Sequence, residues 1–303
     1  MTVRDSVGEE WAARRERGHA AAIRFIVWTA LTLGRSATRL LLYPICLYFL
    51  GFSKAARAAS GAYLQRVLGR APRLGDRFRH YHAFASCVLD RVYLLNNEIE
   101  RFDLRVEGEE LALAQVGRGS GCFLFGAHIG SFEVLRALGH RRPDIKLSLL
   151  MYEENARKIN SVLNAINPAL ALEVIALGRS DSMIEVEERL NQDQFIGILA
   201  DRGLSLEHED HLPIDFLGDT ARLPVGPFRL AAVLRRPVFL MVGLYRGGAR
   251  YDIFFERLAD FANLPRAARP EEVEQAIRLY ARRLEHFCRL APYNWFNFYD
   301  FWK

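Results

Sequence analysis

Short apolar runs alternate with segments of helical periodicity along most of the chain. An apolar run of about four to eight residues between turn residues is typical of a buried strand, whereas apolar positions three and four apart indicate a helix. Alternation of the two predicts an α/β fold: a mostly parallel mixed sheet flanked by helices. We predict strands near 102–106, 121–127, 145–151, 172–177, 194–200, 237–245 and 251–257, and helices near 131–138, 155–166, 181–191, 225–235 and 270–290.

The N-terminal part differs from this alternation. Two apolar stretches, 22–33 and 40–50, precede helical patterns that continue to Asn97. Each stretch is shorter than the ~20 apolar residues that span a bilayer. Arg35 and Arg39 lie between them, and arginines are costly at the membrane centre. We therefore expect an N-terminal helical membrane-associating region that dips into one leaflet; a hairpin in a soluble core is the alternative.

Composition supports a single large body with this region attached. The 303 residues are 50% hydrophobic and 25% charged, enough to bury a sizeable core. No linker rich in Gly, Ser or Pro divides the chain. We expect residues 1–100 to form the membrane-associating region, packed on an α/β body at 101–303, with both in one structural domain. The four cysteines show no C-x-x-C spacing, which favours buried free thiols in a reducing compartment.

The net charge of +5 is concentrated at the N-terminus. Residues 1–100 carry 15 Lys and Arg against 8 Asp and Glu, a balance of +7. Such a patch suits nucleic acid, but no groove-reading motif accompanies it, so we expect no nucleic-acid partner. An anionic membrane surface fits better, since the same region is also apolar. An acidic acyl carrier protein is another partner for this face, and a merely solvated basic face is the alternative.

His128 is the strongest candidate for chemistry. It follows the apolar run at 121–127, so it is expected at the end of a central strand, where open α/β sheets bind ligands. Ser131 suits a helix N-cap, and Glu133 lies one turn into the helix, close enough to fold back on the imidazole. A histidine oriented by a carboxylate can take a proton from an alcohol. Alternatively, His128 is only a polar group with its hydrogen bonds satisfied, and Glu133 is only a charge that caps the helix.

The stretch Gly126–Glu133 resembles the H-x4-D/E block of the lysophospholipid acyltransferase superfamily and, more narrowly, of the bacterial lipid A late acyltransferase family. Three further blocks resemble that family in order, and the set covers roughly residues 20 to 303. They are Gly197–Arg202, Phe216–Pro227 and Pro292–Phe298. After the second strand the family often carries an Arg where this chain has Tyr152-Glu153-Glu154; Arg157 is expected to compensate.

The resemblance implies transfer of a fatty acyl group from an acyl carrier protein or coenzyme A thioester to a hydroxyl of a lipid or glycolipid. His128 would be the general base and Glu133 would orient it. The oxyanion donor would be backbone N–H groups near Gly130 or an arginine. Asp201 and Arg202 would position the acceptor headgroup or brace a loop. The substrate-binding residues are expected to be Gly130, Arg157, Asp201, Arg202, Phe216, Gly218, Arg222, Gly226 and Pro227.

No cofactor beyond the thioester co-substrate and no metal are expected. The polar segment Glu207–His211 matches no established zinc spacing and favours a solvated loop tip. No G-x-S-x-G nucleophile elbow occurs, so a covalent acyl-enzyme is not required. The expected location is the cytoplasmic face of a bacterial inner membrane. Two alternatives stay open: a thioesterase or lipid hydrolase using the same His/Glu pair, and a non-catalytic binding module for membranes or carrier protein.

Overall fold

The computed structural model describes residues 20–140, 145–152, 174–177, 181–203 and 210–302. The predicted helix at 155–166 and the loop residues 207–209 lie outside them. The helices are α1 (Ala20–Phe52), α2 (Lys54–Leu68), α3 (Leu74–Leu95), α4 (Glu109–Leu113), α5 (Phe132–His140), α6 (Ser182–Asn191), α7 (Gly226–Val233) and α8 (Arg269–Leu290). The strands are β1 (Asp103–Glu107), β2 (Phe123–Gly126), β3 (Leu147–Tyr152), β4 (Val174–Leu177), β5 (Phe195–Leu199), β6 (His211–Phe216), β7 (Asp219–Pro224), β8 (Pro237–Tyr245) and β9 (Arg250–Asp260).

The predicted strands form one sheet. Its seven strands follow the order β1-β9-β8-β2-β5-β3-β4. Neighbouring strands are parallel except β8 and β9, which pair antiparallel. The prediction of a mostly parallel mixed sheet is therefore confirmed. β2 lies in the middle of the order, and every residue in it is buried, as expected for a strand covered on both faces.

Helices cover both faces of the sheet. Successive side chains of a strand point to opposite faces, and on β2 Leu124 and Phe125 belong to separate buried clusters. Phe125 packs edge-on against Phe228 of α7, with ring centroids 4.9 Å apart. Leu124 shares its cluster with Val134 of α5. His128, which follows β2, therefore lies at the edge of a sheet that is packed against helices on both faces.

The N-terminal helical region is present and is tied to the sheet by the two arginines that interrupt its apolar stretches. α1 bends at Gly34, whose φ is 78°. Just after the bend, Nε of Arg35 donates to Asp90 of α3 at 2.7 Å. Arg39 donates to the Tyr245 hydroxyl at 2.9 Å and to the Gly248 carbonyl at 2.7 Å. Both guanidinium groups are therefore hydrogen-bonded within the protein, that of Arg35 to α3 and that of Arg39 to the body.

Beyond the bend, α1 leaves large apolar side chains exposed. Leu40 and Leu47, seven residues apart on one helix face, are 69% and 58% exposed. In the part of the chain that the structure describes, no single helix is long and apolar enough to cross a membrane. The bent pair Trp28–Phe52 and Lys54–Leu68, at 96° to each other, reaches that length and composition only when the two are taken together.

All four cysteines are buried free thiols, as predicted. They are Cys46, Cys87, Cys122 and Cys288. Burial raises the pKa of Cys46 to about 12, so this thiol is protonated near neutral pH.

The sequence patterns did not predict the hairpin of β6 and β7, whose segment was expected to be a pocket-shaping block or a covering loop. A two-residue turn joins the strands, and its residues Leu217 and Gly218 have φ of 53° and 89°. Positive φ at both positions is typical of a type I′ turn, which usually carries Asn-Gly or Asp-Gly. Here Leu217 is buried and its N–H donates to Glu285 at 2.8 Å. At the first turn position these tertiary contacts, rather than the usual Asn or Asp, hold the conformation, while Gly218 is the usual residue at the second.

Candidate active site

The centre of the site is a pair formed by residues that follow two neighbouring strands. β2 and β5 are parallel, and Gly126 lies opposite Leu199 in their register. His128 and Asp201 each come two residues later in the sequence. The two chains therefore leave the carboxyl edge of the sheet side by side, and Nδ1 of His128 lies 2.8 Å from Oδ1 of Asp201.

Both carboxylate oxygens of Asp201 accept hydrogen bonds from other groups of the protein. Besides the imidazole at Oδ1, the backbone N–H of His128 donates to Oδ2 at 3.0 Å and the indole N–H of Trp295 at 3.2 Å. The Asp201 side chain is 0% exposed, whereas that of His128 is 32% exposed. Asp201 therefore has no exposed oxygen for an acceptor headgroup. The predicted headgroup contact is corrected: the carboxylate holds the histidine.

The surroundings favour an ionised Asp201 and a neutral His128. Burial alone would raise the pKa of Asp201, but His128 and Arg202 more than offset it and lower that pKa below its ordinary value. Burial and Arg202 lower the pKa of His128, against the opposing effect of Asp201. An ionised carboxylate only accepts hydrogen bonds, so Nδ1 carries the proton of the neutral ring. The Nε2 lone pair is then the one that can take a proton.

Glu133 lies in the first turn of α5, as predicted, but it does not hold the imidazole. Its Oε1 lies 2.8 Å from Nε of Arg91 on α3. Within the described ranges, the carboxylate that contacts His128 is Asp201. The prediction that Glu133 orients His128 is therefore corrected. The reason is that Nδ1 is already occupied by a residue brought in by the neighbouring strand, which a local spacing cannot reveal.

The backbone near Gly130 serves the packing of the loop. The φ of Gly130 is +63°, and a Cβ there would stand 1.9 Å from the Gly243 carbonyl oxygen, so only glycine fits. Its N–H donates to Asn294 at 2.8 Å, and the next N–H, of Ser131, donates to Gly243 at 2.8 Å. Neither of these two predicted oxyanion donors is free. The buried Ser131 hydroxyl has no hydrogen-bond partner among the described residues, so the expected N-cap bond is not made.

Arg202 braces the C-terminal segment. It donates to the Phe296 carbonyl at 2.9 Å, and its guanidinium carbon lies 4.7 Å from the ring centroid of Tyr299. Its side chain is only 12% exposed. Of the two roles expected for it, the structural one matches these contacts.

The remaining predicted residues occupy different environments. Phe216 is buried and packs edge-on against Trp295, with centroids 5.2 Å apart. Gly218 forms the hairpin turn, and Arg222 is exposed on β7. Gly226 and Pro227 begin α7. Arg157 lies outside the described residues. The structure thus links Phe216 to the His128–Asp201 pair through Trp295, and shows no such contact for the other described members.

Two residues of the site were not predicted. Trp295 was predicted only as part of the family block Pro292–Phe298, although a buried indole N–H needs a hydrogen-bond acceptor and so indicates a polar partner. Arg91 lies in a helix of mixed polarity, and nothing in the local pattern distinguishes it from the other arginines of α3. Its pairing with Glu133 depends on how α3 packs against α5.

A histidine held by a buried carboxylate at the carboxyl edge of a mostly parallel sheet defines an α/β protein equipped for general-base chemistry. The chain matches the model of the family described as bacterial lipid A biosynthesis acyltransferase over residues 15–303, and it belongs to that family. The resemblance found in the sequence blocks is thereby confirmed. No curated protein sequence matches the chain significantly. The family implies an acyltransferase of the lipid A type.

Proposed function

We propose that this protein moves a fatty acyl group from an acyl carrier protein or coenzyme A thioester onto a hydroxyl of a lipid or glycolipid. The observation that carries the proposal is the His128–Asp201 pair: a buried carboxylate 2.8 Å from Nδ1 of a ring that is 32% exposed. This arrangement fixes one tautomer and leaves Nε2 as the base. Family membership supplies the reaction class.

In the proposed reaction Nε2 of His128 removes the proton of the acceptor hydroxyl as its oxygen attacks the thioester carbonyl carbon. The C–O bond forms, and the carbonyl π pair moves onto oxygen. When the intermediate collapses, the C–S bond breaks and the thiolate takes the proton back from Nε2. The products are an ester and a free thiol, and the imidazole is neutral again. Asp201 stabilises the imidazolium between the two transfers.

The test is transfer of a radiolabelled acyl group to extracted bacterial lipid by the purified full chain. We expect a new labelled lipid, and His128→Ala should lower turnover by roughly 10²–10⁴, the usual contribution of a general base. Asp201→Asn should lower turnover within the same range. The amide NH2 of Asn can donate to Nδ1, which favours the tautomer with the proton on Nε2, and that tautomer cannot act as the base. His286→Ala is the matched control, since His286 is exposed on α8. Release of free fatty acid without new lipid would point to a hydrolase, and wild-type turnover by folded His128→Ala would refute the mechanism.

The exposed apolar face of α1 supports attachment to a membrane, and we propose the cytoplasmic face of a bacterial inner membrane. Leu40 and Leu47 would enter the acyl boundary of one leaflet, while Arg35 and Arg39 stay on the body. The +7 balance of residues 1–100 would add attraction to anionic lipid.

Point substitutions test this without removing α1 from its partners. Leu40→Glu with Leu47→Glu should shift the protein from vesicles of anionic phospholipid to the supernatant in flotation. Val233→Glu with Leu290→Glu is the matched control, since these apolar side chains are exposed elsewhere, at 62% and 43%. High salt should weaken binding of the wild type without abolishing it, because apolar burial is not screened. Equal release by both pairs of substitutions would contradict attachment through α1.

A further inference from the structure

The proposed reaction needs a positive or hydrogen-bonding group for the oxygen that becomes negatively charged. The N–H groups of Gly130 and Ser131 already have acceptors in the loop. Besides burial, which has the largest effect, the guanidinium groups of Arg202 and Arg91 lower the pKa of His128. The contacts place both near the histidine: Nε of Arg202 lies 3.9 Å from Asp201, the partner of His128, and Nε of Arg91 lies 2.8 Å from Glu133, five residues after His128.

These two arginines differ in access to a substrate. Arg202 is 12% exposed and is engaged by the Phe296 carbonyl and the Tyr299 ring. Arg91 is 35% exposed, and its partner Glu133 is 19% exposed. Of these two arginines, Arg91 therefore has the side chain that is more accessible to a bound thioester.

Glu133 connects Arg91 to the segment that carries the histidine. Glu133 comes five residues after His128, in the first turn of α5. Arg91 comes from α3, which packs on α5 through a shared buried cluster that includes Leu89 and Val134. The ion pair of 2.8 Å therefore fixes a guanidinium from one helix next to the loop that carries the base.

We infer that Arg91 stabilises the oxyanion of the acyl-transfer intermediate and that Glu133 positions Arg91 rather than His128. The inference rests on the proposed function. As the acceptor oxygen bonds to the carbonyl carbon, the charge that develops on the former carbonyl oxygen would be met by the guanidinium N–H groups. Glu133 would keep the guanidinium in place between turnovers. The H-x4-E spacing would thus place Glu133, and through it Arg91, in the first turn of the helix that follows the base.

A double-mutant cycle on the full chain tests the assignment. Arg91→Ala should lower kcat by roughly 10²–10³, as for loss of an oxyanion donor, with little change in KM for lipid or thioester. Glu133→Gln should lower kcat by on the order of 10-fold to 100-fold through misplacement of Arg91. The double variant should be no slower than Arg91→Ala alone, because Glu133 has nothing left to position. Arg91→Lys should retain part of the activity.

Arg283→Ala is the matched control, since Arg283 and Glu256 form an ion pair of similar exposure between α8 and β9. It should leave kcat unchanged. The pH profile adds a readout that simple misfolding would not give: without the Arg91 charge the pKa of His128 should rise, and the acid limb of kcat should move to higher pH.

Effects of Arg91→Ala and Glu133→Gln that multiply in the double variant would show that Glu133 acts independently of Arg91 and would overturn the inference. So would an Arg91→Ala variant that changes only the KM for the lipid. If the wild type makes no ester from either thioester, the proposed function fails. An active wild type with a multiplicative cycle leaves that function intact and removes only the roles of Arg91 and Glu133.

Discussion

The indole N–H of Trp295 donates to Oδ2 of Asp201 at 3.2 Å, so the C-terminal segment completes the environment of the buried carboxylate. The same segment receives the backbone of the histidine loop, because the Phe296 N–H donates to the His128 carbonyl at 2.7 Å. His128, Asp201 and Trp295 therefore form one connected unit, although they come from three distant parts of the chain.

Replacing Trp295 with Phe should impair both stability and turnover. The change removes one hydrogen bond to a buried carboxylate, and the free energy of unfolding should fall by about 1–3 kcal/mol. The pKa of Asp201 should rise, and kcat should fall because the carboxylate is held less firmly against Nδ1 of His128. Chemical denaturation and steady-state kinetics measure the two effects.

Trp302→Phe is the control for that change, since its indole N–H donates to the Phe216 carbonyl at 3.2 Å and has no bond to Asp201. It should cost a similar free energy of unfolding while kcat stays at the wild-type value. Equal kinetic losses in the two variants would disprove the specific role of Trp295.

The pH dependence of turnover should reflect the lowered pKa of His128. Burial and Arg202 disfavour the imidazolium, so the base stays neutral and active below the ordinary pKa of about 6.5. Arg202→Gln removes a cation and should raise the pKa, moving the acid limb of kcat to higher pH. Arg202→Lys keeps the charge and should leave the limb close to that of the wild type. A limb that moves to lower pH in Arg202→Gln would contradict this electrostatic account.

The buried His80 should make the fold sensitive to acid. It is 0% exposed, lies 2.8 Å from both Ser60 Oγ and the Trp295 carbonyl, and burial lowers its pKa to about 4. The unfolded chain takes up this proton near pH 6.5. The stabilising contribution is therefore full above about pH 6.5 and is lost as pH falls toward about 4, a change of about 3 kcal/mol.

Urea denaturation of wild type and His80→Gln at pH 7.5, 5.5 and 4.5 measures this contribution. The difference in unfolding free energy between the two proteins should shrink as the pH falls. His286→Gln, at an exposed position, is the control for the substitution itself. A constant difference for His80→Gln would mean that His80 does not titrate between the folded and unfolded states as inferred.

The ion pair between Arg35 and Asp90 should anchor α1. Asp90 is 0% exposed and also accepts from the Tyr251 hydroxyl at 2.9 Å. Arg35→Ala leaves a buried carboxylate without its cation and should cost about 3–5 kcal/mol. Arg66→Ala breaks an ion pair with Asp219, which is 55% exposed, and should cost only about 0.2–1 kcal/mol.

Denaturant titration measures the free energy of unfolding of the two single variants and of a double variant that carries both Arg35→Met and Asp90→Asn. The double replacement should recover much of the loss, because no unpaired charge remains. Similar losses for Arg35→Ala and Arg66→Ala would show that the pair does not anchor the helix.

The alternation of strands and helices could be predicted from the sequence because it depends on periodicity within each segment. β8 begins and ends at the predicted residues, and α8 begins one residue earlier than predicted. The position of His128 at the end of β2 also followed from local pattern. The family blocks required no structure either, since their order along the chain identified the acyltransferase family that the match over residues 15–303 confirms.

The partner of His128 was decided only by the tertiary structure. A spacing of five residues made Glu133 the nearest carboxylate in sequence, but the order of the sheet places β5 beside β2 and brings Asp201 to Nδ1 at 2.8 Å. Glu133 then pairs with Arg91, whose position depends on the packing of α3. Strand order and helix packing are long-range properties, set by the burial of apolar faces contributed by the whole chain, so no local pattern contains them.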